Sequence, residues 1–253
     1  MADFLMFQLY GPMAAWGDIA VGEYRPSFAH PSKSAIIGLL AAAIGISRDE
    51  DEHQRALSDA CLFAVRVDVM GTLLRDYHTA QVPSEKKGVT RYTRYSELAV
   101  EGLNTILSSR DYRCDAAYTV AISFRDRCED SLRILAERLN VQEFTLSVLA
   151  EKLSKPVFIL YLGRKSCPLA LPLKPELIKD KKNCKEALES FSFSADELTG
   201  IVQSAQVGIY WEDGIESGYE REHVITRRDV SLSRKRWQFA ERQENYAGIR
   251  KEG

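Results

Sequence analysis

Apolar residues along this chain fall into short runs, each closed by glycine, proline or a charged cluster. Residues 4–10 (FLMFQLY) form a nearly unbroken apolar run ended by Gly11-Pro12, which predicts a first strand buried on both faces. A loop with glycine and aromatic residues follows over 16–28. Pro31 and Ser32 then announce a helix, with Ser32 as N-cap, an apolar stretch over 35–44, and Gly45 as terminator. A polar helix is expected over 52–61. Residues 63–69 (FAVRVDV) alternate as a second strand, and 116–124 (AAYTVAISF) have strong β-propensity as a third. Between them, 71–112 has no long apolar periodicity. Leu132, Leu135, Ala136 and Leu139 mark one face of a helix over 129–139, and a second helical piece covers 143–153. Residues 157–162 (VFILYL) are the expected fourth strand. Beyond it, 174–201 is charged and partly helical, and 207–211 and 224–226 are short strands.

Strand, helix, strand, inserted arm, strand, helix, strand is the order of a ferredoxin-like β-α-β-β-α-β unit. The expected class is therefore α+β, in a single domain over 1–253. The arm, a β-hairpin thumb over about 73–112, enters between the second and third strands. A basic, β-rich extension occupies about 203–253.

Charge limits the possible functions. The 253 residues have a formal net charge of -2, whereas a free-standing, non-specific nucleic-acid binder is usually strongly basic. Any nucleic-acid contact must use local charge or share the ligand with partner subunits. The five cysteines include no C-x-x-C pair and no histidine at zinc-ligand spacing. No secretory leader pattern opens the chain, so a reducing cytoplasmic location without disulfides, metal or cofactor is expected. The apolar run over 35–46 is too short to span a membrane.

Two regions have local positive charge. Residues 75–95 (RDYHTAQVPSEKKGVTRYTRY) set Arg75, Lys86, Lys87, Arg91 and Arg94 against Asp76 and Glu85, a balance of +3, and interleave Tyr77, Tyr92 and Tyr95. Cations for phosphates and rings for unpaired bases suit single-stranded RNA; a solvated polar hairpin gives the same pattern. In the tail over 221–242, seven cations face three anions for +4, with Arg228 and Arg236 among them and Trp237 and Phe239 between them. This is either a phosphate-binding patch or a charged edge strand that resists aggregation. Ser32, Lys33 and Ser34 open the first helix, where free N–H groups can receive phosphate oxygens. Gly163, Arg164, Lys165 and Ser166 follow the fourth strand as a glycine turn with two cations and a hydroxyl, without the spacing of a nucleotide-triphosphate loop. Tyr77 and His78 with a nearby lysine would supply the groups for metal-independent RNA cleavage. No other catalytic constellation is visible.

Six segments in chain order, LYGPMAAWGD (9–18), PSKSAIIGLLAAAIGI (31–46), LRDYHT (74–79), RCDAAYTVAI (113–122), YLGRKSCPL (161–169) and the RRD…RWQFAER tail (227–242), resemble the CasD family of type I-E CRISPR Cascade. The resemblance implies a RAMP-type ferredoxin-like core with a protruding thumb. It implies binding of the crRNA 5′ handle, capping of a filament by contact with the adjacent backbone subunit, contact with the large PAM-reading subunit, and access to target DNA only through the assembled complex. It implies a non-catalytic role, with His78 and Tyr77 kept for the alternative of a crRNA-processing endonuclease. Carried onto this chain, the residues expected to face RNA or a neighbour are Trp16, Arg25, Ser32, Lys33, Ser34, Arg75, Tyr77, His78, Arg91, Arg94, Arg113, Arg164, Lys165, Ser166, Arg228 and Arg236.

Overall fold

The computed structural model describes residues 1–85, 88–155, 174–191, 206–233, 235–236 and 238–250. The first strand, β1 (Ala2–Ala14), is buried on both faces, which is why its apolar run does not alternate. Leu5, Phe7 and Leu9 face one apolar cluster with the helices, while Phe4 and Met6 face a second cluster on the other side of the sheet. After the two-residue β2 (Tyr24–Arg25) comes α1 (Lys33–Ala43). Ser32 Oγ accepts from the Ala35 N–H at 3.2 Å, as its position predicts. At the other end Gly45 takes φ +77°, and the Gly45 and Ile46 N–H groups donate back to Ala42 and Ala41. This double closure needs a left-handed residue at Gly45.

The polar helix α2 (Asp51–Ala60) leads directly into β3 (Cys61–Val69). The inserted arm is a ribbon of β4 (Thr72–Val82) and the first half of β5 (Asn104–Phe124), with the short α3 (Arg94–Leu98) near its tip. The second half of β5 returns between β1 and β3, antiparallel to both. Two helices follow, α4 (Glu129–Leu139) and α5 (Leu146–Leu153). The expected strand over 157–162 lies outside the described residues. On the far side of β1, antiparallel to it, lies β6 (Glu176–Lys181), followed by α6 (Cys184–Ser190). The chain ends in β7 (Gln206–Glu212), β8 (His223–Ser233) and β9 (Gln238–Arg250). The sheet order is β6-β1-β5-β3-β7-β9-β8, with β2 and β4 pairing β5 off this path. The chain is thus a mixed α/β protein built on a large antiparallel sheet. No helix among the described residues is long and apolar enough to cross a membrane.

A buried ion network fixes the C-terminal strands to α1. The Lys33 ammonium lies 2.9 Å from Glu212 of β7, and its backbone N–H donates to Asp229 of β8 at 2.8 Å. Arg242 of β9 grips Asp229 through two nitrogens at 2.7 and 3.0 Å and reaches Glu244 at 2.5 Å. The Arg227 guanidinium lies 3.4 Å from Glu244 and 3.4 Å above the centre of the Phe28 ring. His30 closes the group, with Nε2 3.3 Å from Glu244 and its ring stacked 3.8 Å from Tyr210. All these charged side chains are buried. Each needs its partners, because an unpaired ion cannot be left without water.

The network sets an acid limit on stability. Burial alone would raise the Glu244 carboxyl, but the contact with His30 and the charges of His30, Arg242 and Arg227 hold it down at about 2, against an ordinary 4.5. A depressed folded value means stability that is complete above the unfolded pKa and lost as pH falls toward the folded one. Urea midpoints of the native chain should therefore drop between about pH 5 and pH 2, and Glu244→Gln should flatten that slope. At neutral pH Glu244→Ala takes the nearer carboxylate from Arg227 and one of those held by Arg242, and should cost about 3–5 kcal/mol by urea denaturation.

Candidate nucleic-acid interface

The thumb ribbon exposes both of its faces, and all of β4 up to Gln81 is exposed. Alternation along β4 sends Leu73, Arg75, Tyr77, Thr79 and Gln81 to one face and Leu74, Asp76, His78 and Ala80 to the other. The pairing with β5 runs unbroken from Thr72↔Cys114 to Val82↔Asn104, so no bulge disturbs this division. Tyr77, Tyr92 and Tyr95 are 69%, 91% and 86% exposed. No core underlies these rings.

Arg75 is not a free cation. Its Nε and Nη2 donate to the two Asp111 oxygens at 2.8 and 3.1 Å. The Tyr24 hydroxyl donates to Asp111 at 2.5 Å, and the Arg75 guanidinium lies over the Tyr24 ring at 5.1 Å. The hydrogen bond with Arg75 holds the Asp111 carboxyl below its ordinary value, and the bond to Asp111 raises the Tyr24 hydroxyl. Parallel pairing of Tyr24–Arg25 with Ser109–Arg110 completes the attachment, so the 16–28 loop and the thumb base are joined. Sequence reading missed Asp111 and Tyr24. The signal available was one acidic residue in a basic stretch, which by itself names no partner.

The remaining candidates are dispersed. Arg25 is exposed but its Nη1 donates to the Gly22 and Tyr24 carbonyls at 2.6 and 3.2 Å. Arg94 donates to Glu97 at 2.7 Å and to the Gln81 carbonyl. Arg91 is half-buried near the thumb tip, beside a groove lined by Val82, Pro83, Val89 and Glu97. Trp16 packs edge-on against Tyr118 at 5.6 Å, and Arg113 is half-buried on β5 opposite Ala14. Arg228 is exposed, with Nε donating to the Phe239 carbonyl at 3.2 Å, and Arg236 is exposed after the end of β8. Arg164, Lys165 and Ser166 lie outside the described residues, as do Lys86 and Lys87. Cys61 and Cys184 are free thiols that burial pushes up to about 12, which makes them packing residues rather than nucleophiles. Among the described residues no three His, Cys, Asp or Glu side chains come together as a metal site.

Two expectations are corrected by geometry. Ser32 and Lys33 are buried at 4% exposure each, so the start of α1 is not an open phosphate site. Ser32 caps the helix, Ser32 and Ser34 hydroxyls contact each other at 3.1 Å, and the Asp229 carboxylate already takes the Lys33 N–H. The favourable place for an anion at this helix start is filled from within the chain. The tail also offers less surface charge than its count of arginines suggests, because Arg227 and Arg242 are consumed in the buried network. The catalytic alternative meets a geometric obstacle. Tyr77 and His78 are neighbours in sequence but project from opposite faces of β4, and His78 Nε2 lies 2.9 Å from Asp76 on its own face.

Comparison with known proteins places this geometry in a family. The CRISPR-associated protein family Cas5 matches residues 4–244. The CRISPR system Cascade subunit CasD of Escherichia coli (strain K12) is 35% identical over 182 residues, which cover 68% of this chain and 70% of that protein. Among solved structures, a chain of a CRISPR RNA-guided surveillance complex superposes with a TM-score of 0.62 at 24% identity, over 98% of this chain and 90% of the other. A crystal structure of a Cas protein gives a TM-score of 0.56 at 25% identity, over 98% and 95%. The family match spans nearly the whole described sheet, including the C-terminal strands that the ion network attaches, and so this chain belongs to the Cas5 family of CRISPR-associated proteins.

Proposed function

We propose that this chain is a non-catalytic, RNA-binding subunit of a type I-E CRISPR Cascade complex in the cytoplasm, holding the 5′ handle of the crRNA and capping the backbone filament in antiviral defence. The observation that carries this reading is the thumb, a two-stranded ribbon exposed on both faces with three tyrosines almost free of contacts. A bare ribbon is marginal in water, and exposed rings among cations suit stacking on unpaired bases. Under this reading the thumb, about 73–112, lies against RNA and the adjacent backbone subunit. The body contacts the large PAM-reading subunit, and target DNA is met only in the assembled complex.

The reading includes one RAMP-type, ferredoxin-like domain over 1–253 with a basic β extension over about 203–253. The order β6-β1-β5-β3 supports it, with α1 and α2 joining β1 to β3 and α4 and α5 between β5 and β6. On this reading β6, in place of the strand expected over 157–162, would serve as the fourth strand of a split β-α-β pair. The extension β7-β9-β8 then continues the sheet beyond β3. The residues proposed for RNA are Tyr77, His78, Arg91 and Arg113 on the thumb and its base, Trp16 and Arg25 on the joined loop, and Arg228 and Arg236 on the tail; Arg164, Lys165 and Ser166, outside the described residues, are proposed from the sequence.

Two measurements test this. Replacing Tyr77, Tyr92 and Tyr95 together by Ala should weaken retention of crRNA in the co-expressed complex by about tenfold or more, at about 1–3 kcal/mol per stacked base; the same amount of RNA in the purified triple variant would overturn the assignment of the thumb. Arg164→Ala with Lys165→Ala should likewise reduce handle binding in a gel-shift titration. The enzyme alternative is decided by incubating the purified chain with repeat RNA in EDTA. We expect no specific cleavage, because Tyr77 and His78 do not share a face; cleavage abolished by His78→Ala would replace the scaffold reading with an endonuclease.

A further inference from the structure

Among the described residues the outer edge of β4 has no strand against it. Sheet edges are normally protected by proline, lysine, a bulge or a covering segment. From Thr72 to Val82 there is no proline, lysine or bulge. Among the described residues no other strand pairs with β4 on its outer side, and the one covering contact is the Arg94 side chain on the Gln81 carbonyl. That contact also sets the direction of the strand's main-chain groups. The Gln81 carbonyl points away from β5. In an antiparallel strand the N–H and C=O of one residue share a side, and residues two apart repeat it. Leu73, Arg75, Tyr77 and Thr79 therefore present their N–H and C=O groups outward, where no described strand pairs with them.

We infer that the free subunit pairs with a second copy of itself through this edge, antiparallel about a twofold axis at Tyr77. Side-chain complementarity selects this occupant and this register. A dyad at Tyr77 sets Arg75 opposite Thr79 of the other copy and exchanges about six main-chain hydrogen bonds from the outward residues. The intervening residues form the closely spaced pairs. There Asp76 meets His78 of the second copy and Leu74 meets Ala80, twice each by symmetry. These are the side chains that stand together on one exposed face, with Leu74 45% exposed and Asp76 and His78 already 2.9 Å apart within one strand. Moving the dyad to Arg75 would set Arg75 against Arg75, a like-charge pair directly opposite, which is destabilising. Moving it to Thr79 runs the pairing into Pro83, which has no N–H to give. The ribbon's other edge, on β5, is occupied at Ser109–Arg110 by β2, so the two copies meet through β4.

The consequence is a reserve state. A small strand-to-strand contact gives a weak, concentration-dependent dimer, and it covers the ribbon until another ligand takes the thumb. The dimer is independent of the RNA-binding reading and can stand or fall without it.

Sedimentation velocity of the RNA-free full chain over a hundredfold range of concentration tests the inference. A reversible monomer–dimer equilibrium is expected. Tyr77→Pro removes the outward N–H at the dyad without touching the pairing to β5, so it should abolish the dimer while circular dichroism stays unchanged. His78→Asp sets carboxylates against each other and should weaken dimerisation by about tenfold or more, whereas Asp76→His with His78→Asp exchanges the two side chains and should restore it. A chain monomeric throughout the range overturns the proposal. So does a dimer indifferent to Tyr77→Pro, or one that the side-chain exchange fails to rescue; either would put the contact elsewhere.

Discussion

The buried ion network between α1 and the last three strands is the constraint on which the rest of the chain depends. Lys33 enters α1 at the point where Asp229 of β8 receives its N–H and Glu212 of β7 receives its ammonium. Arg242 and Glu244 of β9 complete the contacts from the third strand. One helix start is thus tied to three strands far away in sequence. Replacement of these ions by apolar residues of equal volume would be close to neutral for stability. What the ions add is specificity of position, since Arg242 can satisfy two carboxylates only when β8 and β9 stand in one register.

Strand pairing accounts for the way the first half of β5 leaves the core. The sheet is built outward from β3 through β7 to β9 and β8, so β3 is paired on both edges along its core length. Its continuation, β4, pairs among the described strands with β5 alone. Between β3 and β4 stands Gly71 at φ +66°, where a Cβ would lie 2.2 Å from the Cys114 carbonyl oxygen. No residue with a side chain fits that approach. Asp115, next to Cys114 on the partner strand, also takes a positive φ of 54°. The two strands turn together at this level, and the ribbon leaves the sheet there.

How much of this could be read from the sequence depends on what a buried position looks like. The strand over 4–10, the helix capped by Ser32 and ended at Gly45, and the strands at 63–69 and 116–124 were legible because apolar burial leaves a period or an unbroken run. The strand β9 was not. Its buried positions include Glu244 and Asn245, and a stretch such as ERQEN scores as solvated when Arg242 and Glu244 are in fact neutralised by partners from β8 and by His30 ahead of α1. The charged, partly helical stretch expected over 174–201 does contain α6, but β6 ahead of it leaves no apolar run, since only Ile178 of that strand is buried. At the site, the Tyr77–His78 adjacency suggested cooperation that the two-residue period of a strand forbids. The basic tail suggested surface charge that Arg227 and Arg242 do not supply. Sequence shows which charges exist; only the fold shows which are already spent.

That distinction bears on how a chain of net charge -2 could hold RNA. Of the cations placed on the thumb, Arg75 is neutralised by Asp111 and Arg94 by Glu97, and His78 leans on Asp76. Beside these paired groups, the described ribbon offers the ring surface of Tyr77, Tyr92 and Tyr95. Each phosphate neutralised by a free cation steepens the loss of single-strand affinity with salt, by a logarithmic slope of about 0.7 per contact, while stacking on a tyrosine carries no such term. Recognition by a thumb of this composition would therefore rest on unstacked bases and on partner subunits more than on phosphate attraction. Such a surface would hold little affinity for arbitrary nucleic acid in free solution and gain it where neighbours supply the charge. A near-neutral body is the composition such sharing requires.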